Sequence, residues 1–216
     1  VATYPVPEVI SAINSFALGA RLVNPRVRVK VKWSQGYENT NKWEDYIGNL
    51  DELGADIFSK HDDEFTPSFL KDMGVDSILC TVDKSTLRPD KYLAASVWNW
   101  KVFYQQIFED ILSDNWKNFK DKLSNNPTSL KFWFGMDSGI LDFYYSKDLI
   151  PFDTQKLVKL LKSTIISKGL SVFTGPIYDE SCNLKVEEDQ VLTKEEIISM
   201  DWLVEAVDTE IPILNI

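Results

Sequence analysis

The sequence predicts an α/β protein whose mostly parallel sheet is covered on both faces. Strand-like runs alternate with helix-length amphipathic segments, and the apolar run Ser77 to Val82 reads as a buried strand. With 216 residues, 44% of them hydrophobic, the chain has ample material for a packed core.

Residues 7 to 23 read as a helix. Pro7 and Glu8 suit its first turn, Val9, Ile13, Phe16, Ala17 and Ala20 recur at helical spacing, and Asn24-Pro25 stops it. Val27, Val29, Val31 and Trp33 alternate with Arg28, Lys30 and Lys32, the pattern of an edge strand guarded by cations. Trp43, Tyr46, Ile47, Leu50 and Leu53 mark a second helix, which Gly54 ends in the left-handed position before a strand from Ala55 to Ser59. Thr66-Pro67 opens a short helix ending at Gly74. From 99 to 113, Trp100, Phe103, Tyr104, Ile107, Phe108, Ile111 and Leu112 make a stripe wide enough to want two packing partners. Residues 130 to 145 read as strand, glycine turn and strand, and a helix beginning at Asp153 or Thr154 ends at Gly169. Thr193 with Glu196 forms a capping box for the last helix.

The net charge of −10 opposes a phosphate backbone, and the cations form no stripe, which sets nucleic acid aside. No apolar run approaches the roughly 18 to 20 residues of a membrane span. Cys80 and Cys182 belong to no metal-ligand cluster, so no metal and no cofactor is expected. The single histidine, His61, leaves little room for a nucleophile relay.

Five segments in order, YPVPEVISAINSFALGARLVNP, DELGADIFSKHDD, ASVWNWKVFYQQI, FTGPIYD and LTKEEIISMDWLVEAV, resemble the basic membrane protein family of purine- and nucleoside-binding transport proteins, in its Med-like branch. The resemblance runs from about Val1 to Val207. It implies a type I periplasmic-binding-protein-like fold, in which two three-layer α/β lobes joined by hinge strands hold a ligand between them. By that resemblance this chain would correspond to the second lobe, with the first expected to be absent. Residues 1–93 would form the second-lobe core, 94–130 a hinge crossing with a helix packed on the absent first lobe, and 131–216 the return crossing and completion of the lobe. Without the first lobe, the 100–112 stripe would be exposed or hidden by self-association. The family also implies a membrane-anchored extracytoplasmic protein that serves a membrane ABC permease.

Ligands of open α/β sheets sit beyond the carboxyl ends of the strands, and a purine needs flat apolar plates plus a few polar partners. The loops there hold Pro5, Trp33, His61, Asp63, Asp83, Trp98, Asn99 and Trp100. Trp98 and Trp100 could be plates with Asn99 as an amide between them; either tryptophan could equally be core. His61 and Asp63 match the family's H-x-D turn, although a solvated turn residue and a helix-start carboxylate are the plainer readings. Asp83 is a sugar-hydroxyl acceptor or a turn former. Gly135 to Gly139 resembles the family's G-M-K-D-G turn, but Asp137 replaces its lysine and Ser138 its aspartate, so an acceptor of purine N–H groups becomes a weaker, bifunctional hydroxyl.

Non-catalytic binding of a purine or nucleoside for uptake is the leading expectation, with a regulatory sensor built on the same lobes as the alternative. A hydrolase using Asp62, Asp63, Asp83 and Asp137 lacks any defined carboxylate geometry.

Overall fold

The computed structural model describes residues 1–2, 4–33, 54–60, 68–70, 73–86, 88–113, 133–209 and 211–212. The expected helix over 43–53 lies outside them, as do His61, Asp62 and Asp63. Along the chain run α1 (Pro7–Val23), β1 (Val29–Lys30), β2 (Ile57–Lys60), β3 (Gly74–Asp83), β4 (Arg88–Trp98) and α2 (Trp100–Leu112). They are followed by β5 (Leu141–Tyr145), α3 (Phe152–Ile166), β6 (Ile177–Tyr178), β7 (Leu184–Val186), α4 (Lys194–Ile198) and β8 (Val207–Asp208). The chain divides into one compact unit of 1–60, 82–90 and 170–216 and another of 61–81 and 91–169.

In the first unit, α1 places Ile10, Asn14 and Ala17 on its inner face, at the spacing that one side of a helix requires. Ile10 and Ala17 join Phe173, Ile177, Val186, Met200, Leu203 and Val204 in one core. Asn14 is fully buried and ties the helix to the tail. Its Nδ2 donates to the Trp202 carbonyl at 2.7 Å and its Oδ1 accepts from the Val204 N–H at 3.0 Å. Such bonds make a buried amide tolerable. β1 pairs in parallel with β8, Val29 opposite Val207 and Lys30 opposite Asp208. The charged strand is therefore shorter than the expected 27–33 run, and its cations find partners. Arg28 pairs with Asp208 and also donates to the Glu205 carbonyl at 2.7 Å.

The FTGPIYD segment is built into the same core. A Cβ on Gly175 would lie 1.9 Å from the Glu187 carbonyl oxygen, so only glycine permits that approach. Asp179, nearly buried, accepts from the Ser181 and Asn183 N–H groups at 3.0 and 2.8 Å. The capping box forms as expected, with the Glu196 N–H on Thr193 Oγ1 and the Glu196 carboxylate on the Thr193 N–H. Its helix is only five residues long.

In the second unit β3, β4 and β5 are successive neighbours in one sheet, and β4 pairs antiparallel with β5 from Ala94↔Tyr145 to Trp98↔Leu141. Ile78 and Cys80 of β3 and Ala95 and Val97 of β4 point to one core with Leu70, the alternation that a half-buried sheet imposes. The α/β class holds, with sheets that are mixed rather than uniformly parallel. Only a short connection joins β3 to β4, and a parallel pair needs a crossover of a dozen residues or more. The expected helix from 66 to 73 is represented among the described residues by a single 3₁₀ turn, Ser68–Leu70, and Gly74 begins β3 instead of ending a helix. Trp133 and Phe134, read as strand, are in none. The stripe on α2 is present and only partly covered: Phe103 and Ile107 are half-buried, no residue of the helix is fully buried, and Tyr104, Phe108 and Leu112 are 54%, 62% and 86% exposed.

Candidate functional site

The second unit assembles the aromatic part of the expected site where β4 ends and α2 begins. Trp98 is the last residue of the strand and Trp100 the first of the helix, so Asn99 turns the chain between them. The turn is held from the neighbouring strand, because the Asn99 N–H donates to the Ile140 carbonyl at 2.6 Å. The Asn99 carbonyl then accepts the first helical bonds from Val102 and Phe103, at 3.1 and 3.3 Å. Its side chain makes no capping bond.

This local geometry stacks the two indoles. Trp98 and Trp100 lie 5.9 Å apart between centroids with 21° between their planes, an offset arrangement that aromatic quadrupoles favour. Phe103 meets Trp100 edge-on at 5.7 Å and Phe134 at 5.8 Å, while Tyr104 lies 6.5 Å from Trp100. Trp98 is partly buried and Trp100 is 42% exposed, so the stack is anchored at one end and open at the other.

Because β4 and β5 are antiparallel, the end of β4 adjoins the turn that starts β5. That turn is Gly135–Gly139, a 3₁₀ turn over Met136–Ser138 closed by Gly139 at φ 73°, in the left-handed region. The Ser138 hydroxyl donates to the Gly135 carbonyl at 2.6 Å and accepts from the Ile140 N–H at 3.1 Å. Gln106 of α2 reaches the Ser138 carbonyl at 3.5 Å. Asp137 is exposed, with Lys168 Nζ 3.6 Å from its carboxylate. Thus Trp98, Asn99, Trp100, Asp137 and Ser138 share one end of the unit's sheet, but the Ser138 hydroxyl is engaged in forming the turn.

The remaining candidates are placed differently. Asp83 lies in the first unit as the last residue of β3, where its Oδ1 accepts from the Ser85 hydroxyl and N–H at 2.6 and 2.7 Å and from the Thr86 N–H at 3.2 Å. The Ser85 hydroxyl first, and then these backbone donors, hold its carboxyl below the usual aspartate range. Trp33 forms a parallel bridge to Ala2, also in the first unit, where Pro5 precedes α1 half-buried. His61 and Asp63 lie outside the described residues. Cys80 is buried in the core of the second unit, and Cys182 is exposed. Among the described residues no group of three or more His, Cys, Asp or Glu side chains could hold a metal, and no helix is long and apolar enough to cross a membrane.

Sequence reasoning did not single out Gly74, Gln106 or Phe134 as parts of this site. Phe103 and Tyr104 were visible only as members of a helical stripe, and nothing local marks Gly74 as a neighbour of Trp100.

Comparison with known proteins places these residues in context. A family model described as ABC transporter substrate-binding protein, PnrA-like, matches residues 1–175. A purine-binding protein of Brucella abortus (strain 2308) is 30% identical over 213 residues, covering 98% of this chain and 57% of that protein. A putative ABC transporter glucose-binding protein of Haloferax volcanii is 26% identical over 215 residues, 98% of this chain and 49% of that protein. A metabotropic glutamate receptor-like protein of Dictyostelium discoideum is 27% identical over 160 residues, 73% of this chain and 19% of that protein. The chain spans about half the length of the first two.

Proposed function

The chain belongs to the Bmp family of PnrA-like ABC transporter substrate-binding proteins, and from that membership we propose that it contributes a stacking platform for a purine or nucleoside in an extracytoplasmic uptake system. The observation that carries this reading is the Trp98/Trp100 stack, open on the Trp100 side and next to the Gly135–Gly139 turn. A purine presents a large π face to such a plate and a polar edge to an amide such as that of Asn99. The purine-binding protein from Brucella, similar along nearly the whole chain, supports the ligand class. A membrane permease is the partner this role requires, and a lipid anchor would keep the protein beside it.

The test is calorimetric titration of the intact two-lobed protein with adenosine, guanosine, inosine and glucose up to millimolar concentration. Saturable heats are expected with the purine nucleosides. Trp100→Ala is expected to weaken binding by about 1–3 kcal/mol, the worth of one base–aromatic stack, and Trp98→Ala to weaken it less, by removing the support of the open ring. No heat with any nucleoside refutes the reading. A second reading, a sensor using the same lobes, draws on the similarity to the receptor-like Dictyostelium protein. It predicts the same ligand heats but no association with a permease.

A further inference from the structure

We infer that Gly74 is a positioning residue for the aromatic platform: by lacking a side chain it seats the Trp100 indole against the start of β3 and so fixes the stacked Trp98/Trp100 pair. The inference rests on the proposed binding role of that pair.

A Cβ built on Gly74 would lie 2.1 Å from Trp100 Nε1, 3.0 Å from Cδ1 and 3.1 Å from Cε2. The colliding atoms are all in the five-membered ring of the indole, the part nearest its own backbone, so a small twist of a flexible tip cannot relieve the clash. Any side chain at 74 must therefore displace the whole ring. The indole has somewhere to go, because Trp100 is 42% exposed. It can swing outward without breaking β3, and that keeps the consequence local. On its other contacts the same ring stacks on Trp98 and meets Phe103 edge-on. Displacing it dismantles the plate instead of shifting it intact. Gly74 is not at a left-handed backbone position, so conformational freedom does not explain a glycine here, whereas the close approach of the ring does.

The experiment compares wild type, Gly74→Ala and Val75→Ala. Val75 packs on the core of the second unit and serves as a stability control. Each protein is measured by far-ultraviolet circular dichroism for the couplet of a stacked indole pair, assigned with Trp98→Phe, by thermal unfolding, and by titration with adenosine. Gly74→Ala is expected to abolish the couplet and weaken adenosine binding by about 3- to 10-fold, the range that an aromatic pair commands. Val75→Ala is expected to lower the melting temperature while leaving couplet and affinity unchanged. The inference is overturned if Gly74→Ala keeps the couplet, if the couplet is lost with affinity intact, or if Val75→Ala reproduces both losses. Wild type that binds no nucleoside refutes the proposed function instead, and the couplet alone then decides whether Gly74 sets the ring.

Discussion

Replacing Asn14 by alanine tests whether α1 and the tail form one cooperative piece. The Asn14 amide is fully buried, and its loss would leave the Val204 N–H and the Trp202 carbonyl without the partners they have now, at 3.0 and 2.7 Å. An orphaned buried polar group costs about 1–3 kcal/mol, so two of them amount to roughly 2–6 kcal/mol where the surroundings do not relax. That is a large share of the 5–15 kcal/mol that typically separates folded from unfolded states. Urea unfolding gives the global loss, and hydrogen exchange at the Val204 amide gives the local one. At tenfold per 1.4 kcal/mol, protection of that amide should fall by about 30-fold or more. Asn14→Asp supplies a finer test, because a protonated carboxyl can still donate to Trp202 and accept from Val204, whereas a carboxylate cannot donate. The Asp variant should therefore be least damaging at low pH. If Asn14→Ala costs under about 0.5 kcal/mol with Val204 still protected, the helix does not hold the tail in this way.

Three further outcomes follow from the geometry. The Phe108→Glu, Ile111→Glu double variant should lose little stability in equilibrium unfolding, since both side chains are largely exposed on α2; a loss above about 2 kcal/mol would show that they are packed. The hydrogen bond from Arg28 chiefly holds the Asp208 carboxyl below the usual range. Because its folded value is depressed, the pair stabilises above the unfolded value of about 3.9 and that stability is lost as pH falls through the folded value. Both partners are more than a third exposed, so Arg28→Met should remove only about 0.2–1 kcal/mol at neutral pH and flatten the acid limb of the stability curve, checked by urea midpoints across pH. In nucleoside titrations, affinity should rank by π surface, purines above uridine and uridine above glucose; glucose binding tighter than adenosine would move the ligand class toward that of the Haloferax relative.

Periodic and punctuated signals in the sequence foretold structure well where a local rule decides the outcome. The first helix, with Pro7 at its start, was legible because apolar residues recur at helical spacing, although the positions it buries are Ile10, Asn14 and Ala17 and Phe16 of the expected stripe is exposed. The Thr193–Glu196 capping box was legible because it is a contact between near neighbours. Gly54 takes a left-handed conformation, while the helix it was expected to close lies outside the described residues. Long-range relations were hidden. Ser77 to Val82 reads as a buried strand whether its neighbour runs parallel or antiparallel, so the order β3-β4-β5, with β5 antiparallel to β4 after the α2 excursion, could not be inferred. Trp98 and Trp100 were chosen as plates from their position at a strand-to-helix junction, and the stack follows from that junction. Gly74 reads as punctuation because its role is defined by a ring 26 positions away in sequence.

The same distinction explains what the family resemblance tracks in this chain. FTGPIYD and LTKEEIISMDWLVEAV map onto a backbone approach that only Gly175 allows, the Asp179 turn, a capping box and the tail held by Asn14. These are contacts that build the first unit, so they preserve a fold without specifying a ligand. In the proposed role the stretch around Trp98–Trp100 and Gly135–Gly139 would carry the recognition chemistry, and there the chain departs from the family pattern at Asp137 and Ser138. A hydroxyl that already donates to Gly135 and accepts from Ile140 keeps one neutral lone pair for the N–H edge of a base, a weaker acceptor than a carboxylate. Asp137 is exposed with Lys168 nearby. On the proposed reading, apolar stacking would supply most of this unit's contact, with Asn99 as the amide that would read an edge. Stacking is tolerant of which base lies on it, because every base has a π face. The substitution of Ser138 for an acidic acceptor therefore points to a platform that selects flat aromatic heterocycles as a class and discriminates weakly among the purines.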